Sequence, residues 1–335
     1  MRVTREQVMR YRIRASHLHE RLEPGALTQA ACGGLQDSAP RAGVISLHAR
    51  AEGVGPDSWE HPDLAQIWFR FGADYIIPRA DIGVFTIGSL PRDPPRCRAL
   101  EEVADAACGV LAGRMLQVRE VSEVLALDEP FLIRAAGSTG RLLIRWNAST
   151  IWLVPNERPD IDPEDARLEL ARRFLRWFAP ATRDQYAKWV AAAPADAKQT
   201  WQALSGEIVP VQLGDETRYV LRTDADKLAR AEAVDGVRLL PHADPLIKID
   251  GELVVLDTTL RREIYPSFKA KPDFWPVSGG LLVNGEFRGS WARQQRRVTV
   301  HPWRKLSRAV REQIEAEALS FPIASKSKAE LRWDD

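Results

Sequence analysis

Ile208-Val209-Pro210-Val211-Gln212-Leu213 and Thr217-Arg218-Tyr219-Val220-Leu221 are two β-rich runs set around Gly214-Asp215, which predicts a hairpin. What precedes the hairpin decides how it is read. Asp162 stands as an N-cap with Pro163 at the first helical position, opening a predicted helix that runs to Phe178. Thr182 with Gln185 three residues on forms a capping box for a second helix. Pro194 opens a third, near 195–204. Helices closed by a two-stranded wing are the winged-helix plan, a relative of the helix-turn-helix.

The same succession is expected twice upstream. Thr4 caps a predicted helix to about Leu22, stopped by Pro24-Gly25, and short helices follow near 26–33 and 40–51. Residues 66–71 and 74–77 then read as a hairpin, with a short helix near Asp81. Residues 89–97 carry three prolines and read as a linker. A helix at 98–112, one or two short helices through Ala135, and strands at 141–146 and 151–154 complete a second set. The sets share architecture and not residue identity, so three unrelated small α+β segments remain the competing reading. Downstream of Val237 the pattern turns to strands: 252–256, 281–283 and 286–291 around Asn284-Gly285, and 297–300. A helix at 307–319 ends before Pro322. The expected fold is therefore α+β, tandem winged-helix units followed by a small C-terminal β-barrel. Its divisions are 1–92, 93–158 and 159–232 for the winged units, 233–322 for the barrel and terminal helix, and 323–335 for a loose polar tail.

The chain has 335 residues, with 47 Lys and Arg against 46 Asp and Glu, a net charge of +1. This excludes a surface that is basic all over, but it conceals a strip. Residues 288–311 hold Arg288, Arg293, Arg296, Arg297, Arg304, Lys305, Arg308 and Arg311 with no acidic residue, so the remainder is net acidic. Trp291, Gln294, Gln295 and Trp303 interleave with these cations, a combination suited to a phosphate backbone with base stacking. A solvated strand and helix face accounts for it equally well. The helix at 195–204 offers a single cation, Lys198, and is a poor major-groove reader. Cys32, Cys97 and Cys108 are odd in number and irregular in spacing, as expected of reduced thiols in a cytoplasmic protein. No apolar run reaches membrane-spanning length, and the N-terminus lacks the apolar core of a secretory signal.

No phosphate-binding glycine loop, dinucleotide fingerprint, nucleophile elbow or Cys-x-x-Cys pair occurs in the sequence. His17 and His19 stand two apart in the predicted helix and point to different faces, so no metal site is expected. The informative stretch is Gly33-Gly34-Leu35-Gln36-Asp37-Ser38-Ala39-Pro40-Arg41-Ala42. It resembles the Gly-Leu-Gln-x-Gln-x-Pro-Arg segment of the AlkZ-like (YcaQ-like) winged-helix DNA glycosylases. Residues 68–78, 166–180, 238–245, 283–291 and 298–303 are similar, in order, to further segments of that family, so the resemblance spans nearly the whole chain.

The resemblance implies tandem winged-helix units and a barrel around a DNA-sized cleft. It implies excision of alkylated purines without a metal. The expected partner is double-stranded DNA, alkylated or distorted, with no cofactor and the chain acting as a monomer. A purine alkylated on nitrogen is already a cationic leaving group, so the enzyme mainly places a water at the anomeric carbon. Gln36, Asp37 and Ser38 are the implied catalytic residues. Arg41, Tyr75, Arg288, Arg293, Arg296, Arg297, Arg304 and Lys305 are the expected DNA contacts. Ser38 stands where the family carries a second Gln or an Asp, and Tyr75 where many relatives carry a His. Asp37 has two readings, a carboxylate that polarises water or a cap for the helix after Pro40. The function classes therefore stay open among a monofunctional glycosylase, a non-catalytic winged-helix DNA binder or regulator, and a protein whose basic strip meets an acidic partner.

Overall fold

The computed structural model describes residues 1–127, 130–248, 277–323 and 329–334. The first segment carries β1 (Arg2–Val3), α1 (Arg5–Ala15), α2 (Leu27–Ala30), β2 (Leu35–Gln36), α3 (Ala42–His48), β3 (Leu64–Phe69), β4 (Ala73–Pro78) and α4 (Ile82–Thr86). The second carries α5 (Pro94–Leu111), β5 (Leu116–Gln117), α6 (Val118–Val124), α7 (Pro130–Ala136), β6 (Leu142–Trp146) and β7 (Ile151–Pro155). The third carries α8 (Pro163–Phe178), α9 (Arg183–Val190), α10 (Pro194–Ala203), β8 (Ile208–Leu213), β9 (Glu216–Leu221) and α11 (Ala225–Ala229). The last carries β10 (Val237–Pro241), α12 (Pro245–Lys248), β11 (Val277–Val283), β12 (Glu286–Gln294), β13 (Arg297–Pro302), α13 (Arg308–Leu319) and β14 (Glu330–Trp333).

The chain is a mixed α+β protein in which helices followed by a hairpin recur three times, at β3–β4, β6–β7 and β8–β9. The caps fall where the residues demand them. The Asp162 carboxylate accepts from the Glu164 and Asp165 amides at the start of α8, and Thr182 and Gln185 close the box on α9. Asn284 and Gly285, at φ +49° and +80°, turn β11 into β12, because a tight turn matching strand twist needs positive φ at both positions.

Several boundaries differ from expectation, each for a local reason. Helix α1 stops at Ala15 and not near Leu22. There Ser16 turns its hydroxyl onto the Arg12 carbonyl at 2.7 Å, His17 adopts φ +57°, and Leu22 bridges to Ala51. The proline-rich linker is shorter than 89–97, because Asp93 accepts from the Arg96 amide at 2.9 Å and Pro94 begins α5. The tail is not loose throughout. Strand β14 pairs in parallel with β13, and the Arg311 guanidinium lies 4.5 Å from the Trp333 ring centroid. The predicted strand at 252–256 lies outside the described residues.

Sheet pairing joins what the sequence separates. Among the described residues, one six-stranded sheet runs β2-β4-β3-β6-β7-β5, so the first two hairpins merge through Gln66 opposite Ile144. The Trp146 amide donates to the Gln66 side-chain oxygen at 2.8 Å beside that junction. Strand β1 pairs in parallel with β8, tying the N-terminus to the third hairpin. Strands β10 to β14 form an open five-stranded sheet among the described residues, with β10 and β14 at its edges. No barrel closure is found there. Instead helices cover its face, with Ile45 of α3 and Ile314 and Ala318 of α13 packed into one core with Val237, Leu239, Trp291 and Val300.

The main core lies where the first and third segments meet. Helix α8 buries Ala166, Leu170, Phe174 and Phe178, a four-residue stripe typical of an amphipathic helix. Phe69 at the end of β3 meets Trp189 of α9 at a centroid distance of 5.1 Å, and Phe174 meets the same ring at 5.3 Å. Such pairs add about 0.5–1.5 kcal/mol each beyond buried area. Arg12 is buried and donates to the Phe178 carbonyl at 2.6 Å and the Ala179 carbonyl at 3.2 Å. It thereby satisfies acceptors that the end of α8 leaves without helical partners.

Candidate active site

Strand β2 is two residues long, but its pairing with β4 aims three side chains. Leu35 faces Ile76 and Gln36 faces Tyr75 across the antiparallel ladder. The Asp37 amide then donates to the Asp74 carbonyl at 2.8 Å, carrying the extended course one residue further. Alternation along an extended chain sends Gln36 and Ser38 to one side and Asp37 to the other.

On the first side, the Gln36 amide nitrogen donates to Ser38 Oγ at 3.1 Å. The Asp74 backbone amide also donates to that hydroxyl, at 3.2 Å. The Gln36 oxygen Oε1 accepts from Lys248 Nζ at 2.7 Å and lies 3.5 Å from the Tyr75 hydroxyl. Tyr75 is buried, which pushes its phenol above the ordinary range, while the Arg70 guanidinium opposes the shift. Partial burial of the amine and the Arg70 charge hold the Lys248 ammonium down at about 8, although the residue as a whole still reaches solvent.

On the second side, Asp37 is completely buried. Its Oδ1 accepts from the Gly43 amide in the first turn of α3 at 2.8 Å. Its Oδ2 accepts from Arg41 Nη1 at 3.2 Å, with Gln66 Nε2 at 3.4 Å. Burial dominates and pushes the carboxyl up to about 7, although Arg41 and the Gly43 amide both favour the ion. The carboxylate thus meets the first turn of α3, as a cap would, although Arg41 holds the N-cap position itself.

Arg41 takes a left-handed backbone at φ +65°, stacks 4.0 Å from the Trp59 ring centroid and donates to the Trp146 carbonyl at 3.1 Å. It lines a groove of about 760 Å3 together with Trp59, Arg145, Arg293 and Arg296. The groove is not purely cationic, since Glu60 also lines it and pairs with Arg145. The structure thus brings Arg293 and Arg296 to Arg41, and Tyr75 to Gln36 and Ser38. It does not gather the whole strip. Arg288 pairs with Glu286, two residues before the acid-free stretch, and Arg296 with Glu330 of β14. Arg297, Arg304 and Lys305 are exposed and do not line the groove. Trp291 is buried and donates to the Leu240 carbonyl at 2.9 Å, so it belongs to the core and is not a stacking platform.

Two residues of the first side, Lys248 and Arg70, escape sequence reading. Lys248 is 212 residues from Gln36, and no local pattern announces their meeting. Arg70 sits in a left-handed run with Phe71 and Gly72 at the tip of the β3–β4 hairpin.

A family model described as "DNA glycosylase AlkZ-like" matches residues 30–321. The chain belongs to the AlkZ-like DNA glycosylase family. This AlkZ-like chain also superposes on the solved structure of Streptomyces sahachiroi DNA glycosylase AlkZ with a TM-score of 0.77, over 100% of each chain at 17% identity. At that identity the likeness speaks to the fold. No curated protein sequence matches the chain. Among the described residues no helix is long and apolar enough to cross a membrane, and no cluster of metal-ligating side chains occurs.

Proposed function

We propose that the chain is a DNA glycosylase that excises alkylated purines from duplex DNA by water attack at the anomeric carbon. The observation that carries this reading is the shared face of Gln36 and Ser38, an amide and a hydroxyl 3.1 Å apart beside the exposed Lys248. An amide and a hydroxyl can hold a water without a charged base. A cationic alkylated purine leaves readily and asks for little more than that placement. Water held on this face adds to the oxocarbenium-like centre as the glycosidic bond breaks and gives up a proton to solvent, while the departing base takes the bonding electrons and loses its positive charge. On this reading Asp37 acts through α3 and Arg41 and does not touch the water.

The three helix–hairpin sets are read as winged-helix units, with the merged sheet binding the first two together. The groove of Arg41, Arg293 and Arg296, on the Asp37 side of the stretch, is read as a surface for duplex phosphates and not for base edges. We assign the chain to act as a monomer in the cytoplasm.

A second reading, DNA binding without excision, is favoured by one observation. The only carboxylate of the Gln36-Asp37-Ser38 trio is sequestered away from the water-holding face. Base release from a duplex carrying 7-methylguanine separates the two. Release that is lost in Gln36→Ala supports the glycosylase. No release above the Gln36→Ala background, with duplex binding intact, leaves the non-catalytic reading.

A further inference from the structure

The glycosylase reading gives Lys248 no chemical role, yet the fold fixes the turn that carries it. Buried Asp244 accepts from both terminal nitrogens of buried Arg50, at 2.7 and 2.9 Å, and from Ser46 Oγ at 2.8 Å. The same carboxylate accepts from the Leu246 amide at 3.0 Å, and the Asp244 carbonyl accepts from the Lys248 amide at 3.1 Å. The turn that ends in Lys248 is therefore fixed to α3, the helix that follows the Gln36-Asp37-Ser38 stretch. Its Nζ donates to Gln36 Oε1 at 2.7 Å, and on the glycosylase reading Gln36 is the residue that faces the deoxyribose of a bound lesion.

We infer that Lys248 is an amine nucleophile toward the abasic deoxyribose, giving the chain an abasic-site lyase activity. The inference rests on the glycosylase reading only in placing deoxyribose at Gln36. The step balances without any co-reactant. The neutral amine adds to C1′ of the ring-opened aldehyde, and water departs to leave an imine. Loss of the C2′ proton to solvent then expels the 3′ phosphate oxygen with the electron pair of the broken C3′–O bond. Hydrolysis of the imine returns the lysine. Lysine amines form such adducts with carbonyl substrates when their charge is suppressed. Here partial burial and Arg70 lower the ammonium to about 8, leaving a usable neutral fraction near neutrality.

The test is borohydride trapping on a duplex with a preformed abasic site, so that no base excision is needed. The wild-type chain is expected to give a covalent protein–DNA adduct whose peptide map places the link at Lys248. Lys248→Arg keeps a cation beside Gln36 and is expected to retain duplex binding while losing the adduct. Equal trapping by Lys248→Arg, a link mapped to another amine, or a wild type that binds the duplex and traps nothing overturns the inference. The two readings fail separately. Base release without trapping removes the lyase alone, and trapping without base release removes the glycosylase alone.

Discussion

Asp37 and His48 show how single buried groups set opposite pH slopes. The Asp37 carboxyl is raised to about 7 by burial, while in the unfolded chain it titrates near the ordinary value of about 4. Between those values the folded state binds more protons, so this group's contribution to stability falls as pH rises from about 4 to about 7. His48, buried beside Arg21 and Arg238, is lowered to about 3 and stays neutral. Its folded state binds fewer protons than the unfolded chain below about 6.5, so its contribution is lost as pH falls through that range. Denaturant unfolding at pH 5 and pH 7.5 should show the wild type losing more stability on going to the higher pH than Asp37→Asn does. The same variant should be less stable at pH 7.5 by about 1–3 kcal/mol, because its Nδ2 faces the donors Arg41 and Gln66 with nothing to accept. An unchanged pH slope in Asp37→Asn would show that the carboxyl is not the titrating group. The sequence carried Gln36, Ser38 and Tyr75 as neighbours in kind, and cross-strand pairing makes them neighbours in space. It left Asp37 undecided, because a two-residue strand is too short for alternation to be read without its partner β4.

At the scale of elements, the site depends on how the chain enters β2. Gly34 sits at φ +75°, and a Cβ placed there would come within 2.8 Å of the Phe85 ring. A side chain would meet both a disfavoured backbone and a core aromatic, so Gly34→Ala should cost about 1–3 kcal/mol. It should also shift Gln36 against Tyr75. Thermal unfolding checks the first effect and base release the second, and a variant as stable as wild type would remove the strained turn from the account. Helices α8 and α9 and the hairpin β8–β9 were legible from caps and turn residues because these signals are local. The merging of the first two hairpins was not. It rests on the register of Gln66 against Ile144, and both strands are apolar enough to be either edge or centre. Strand β14 was missed for the same reason, since a four-residue strand pairing in parallel with β13 has no turn to announce it.

Across the whole molecule, one buried pair connects the first segment to the last. Arg50 and Asp244 are both fully buried, and their bidentate contact ties the end of α3 to the turn carrying Lys248. Sequence alone offered Asp244-Pro245 only as part of a family pattern, because its partner lies 194 residues away. Removing one member leaves an unpaired charge in the interior, so Asp244→Ala should destabilise by about 3–5 kcal/mol. Arg50→Met with Asp244→Leu removes both charges and should recover much of that loss, since an apolar pair avoids the desolvation of two ions. The two predictions separate stability from site geometry. The double variant loses the carboxylate that accepts from the Leu246 amide, so the turn bearing Lys248 is freed even where the fold is restored. Urea unfolding should therefore rank wild type and double variant above Asp244→Ala, while borohydride trapping falls in both variants. A double variant no more stable than Asp244→Ala would mean that the pair does more than neutralise itself. Full trapping in the double variant would mean that Lys248 is placed by Gln36 and the neighbouring chain without help from the buried pair.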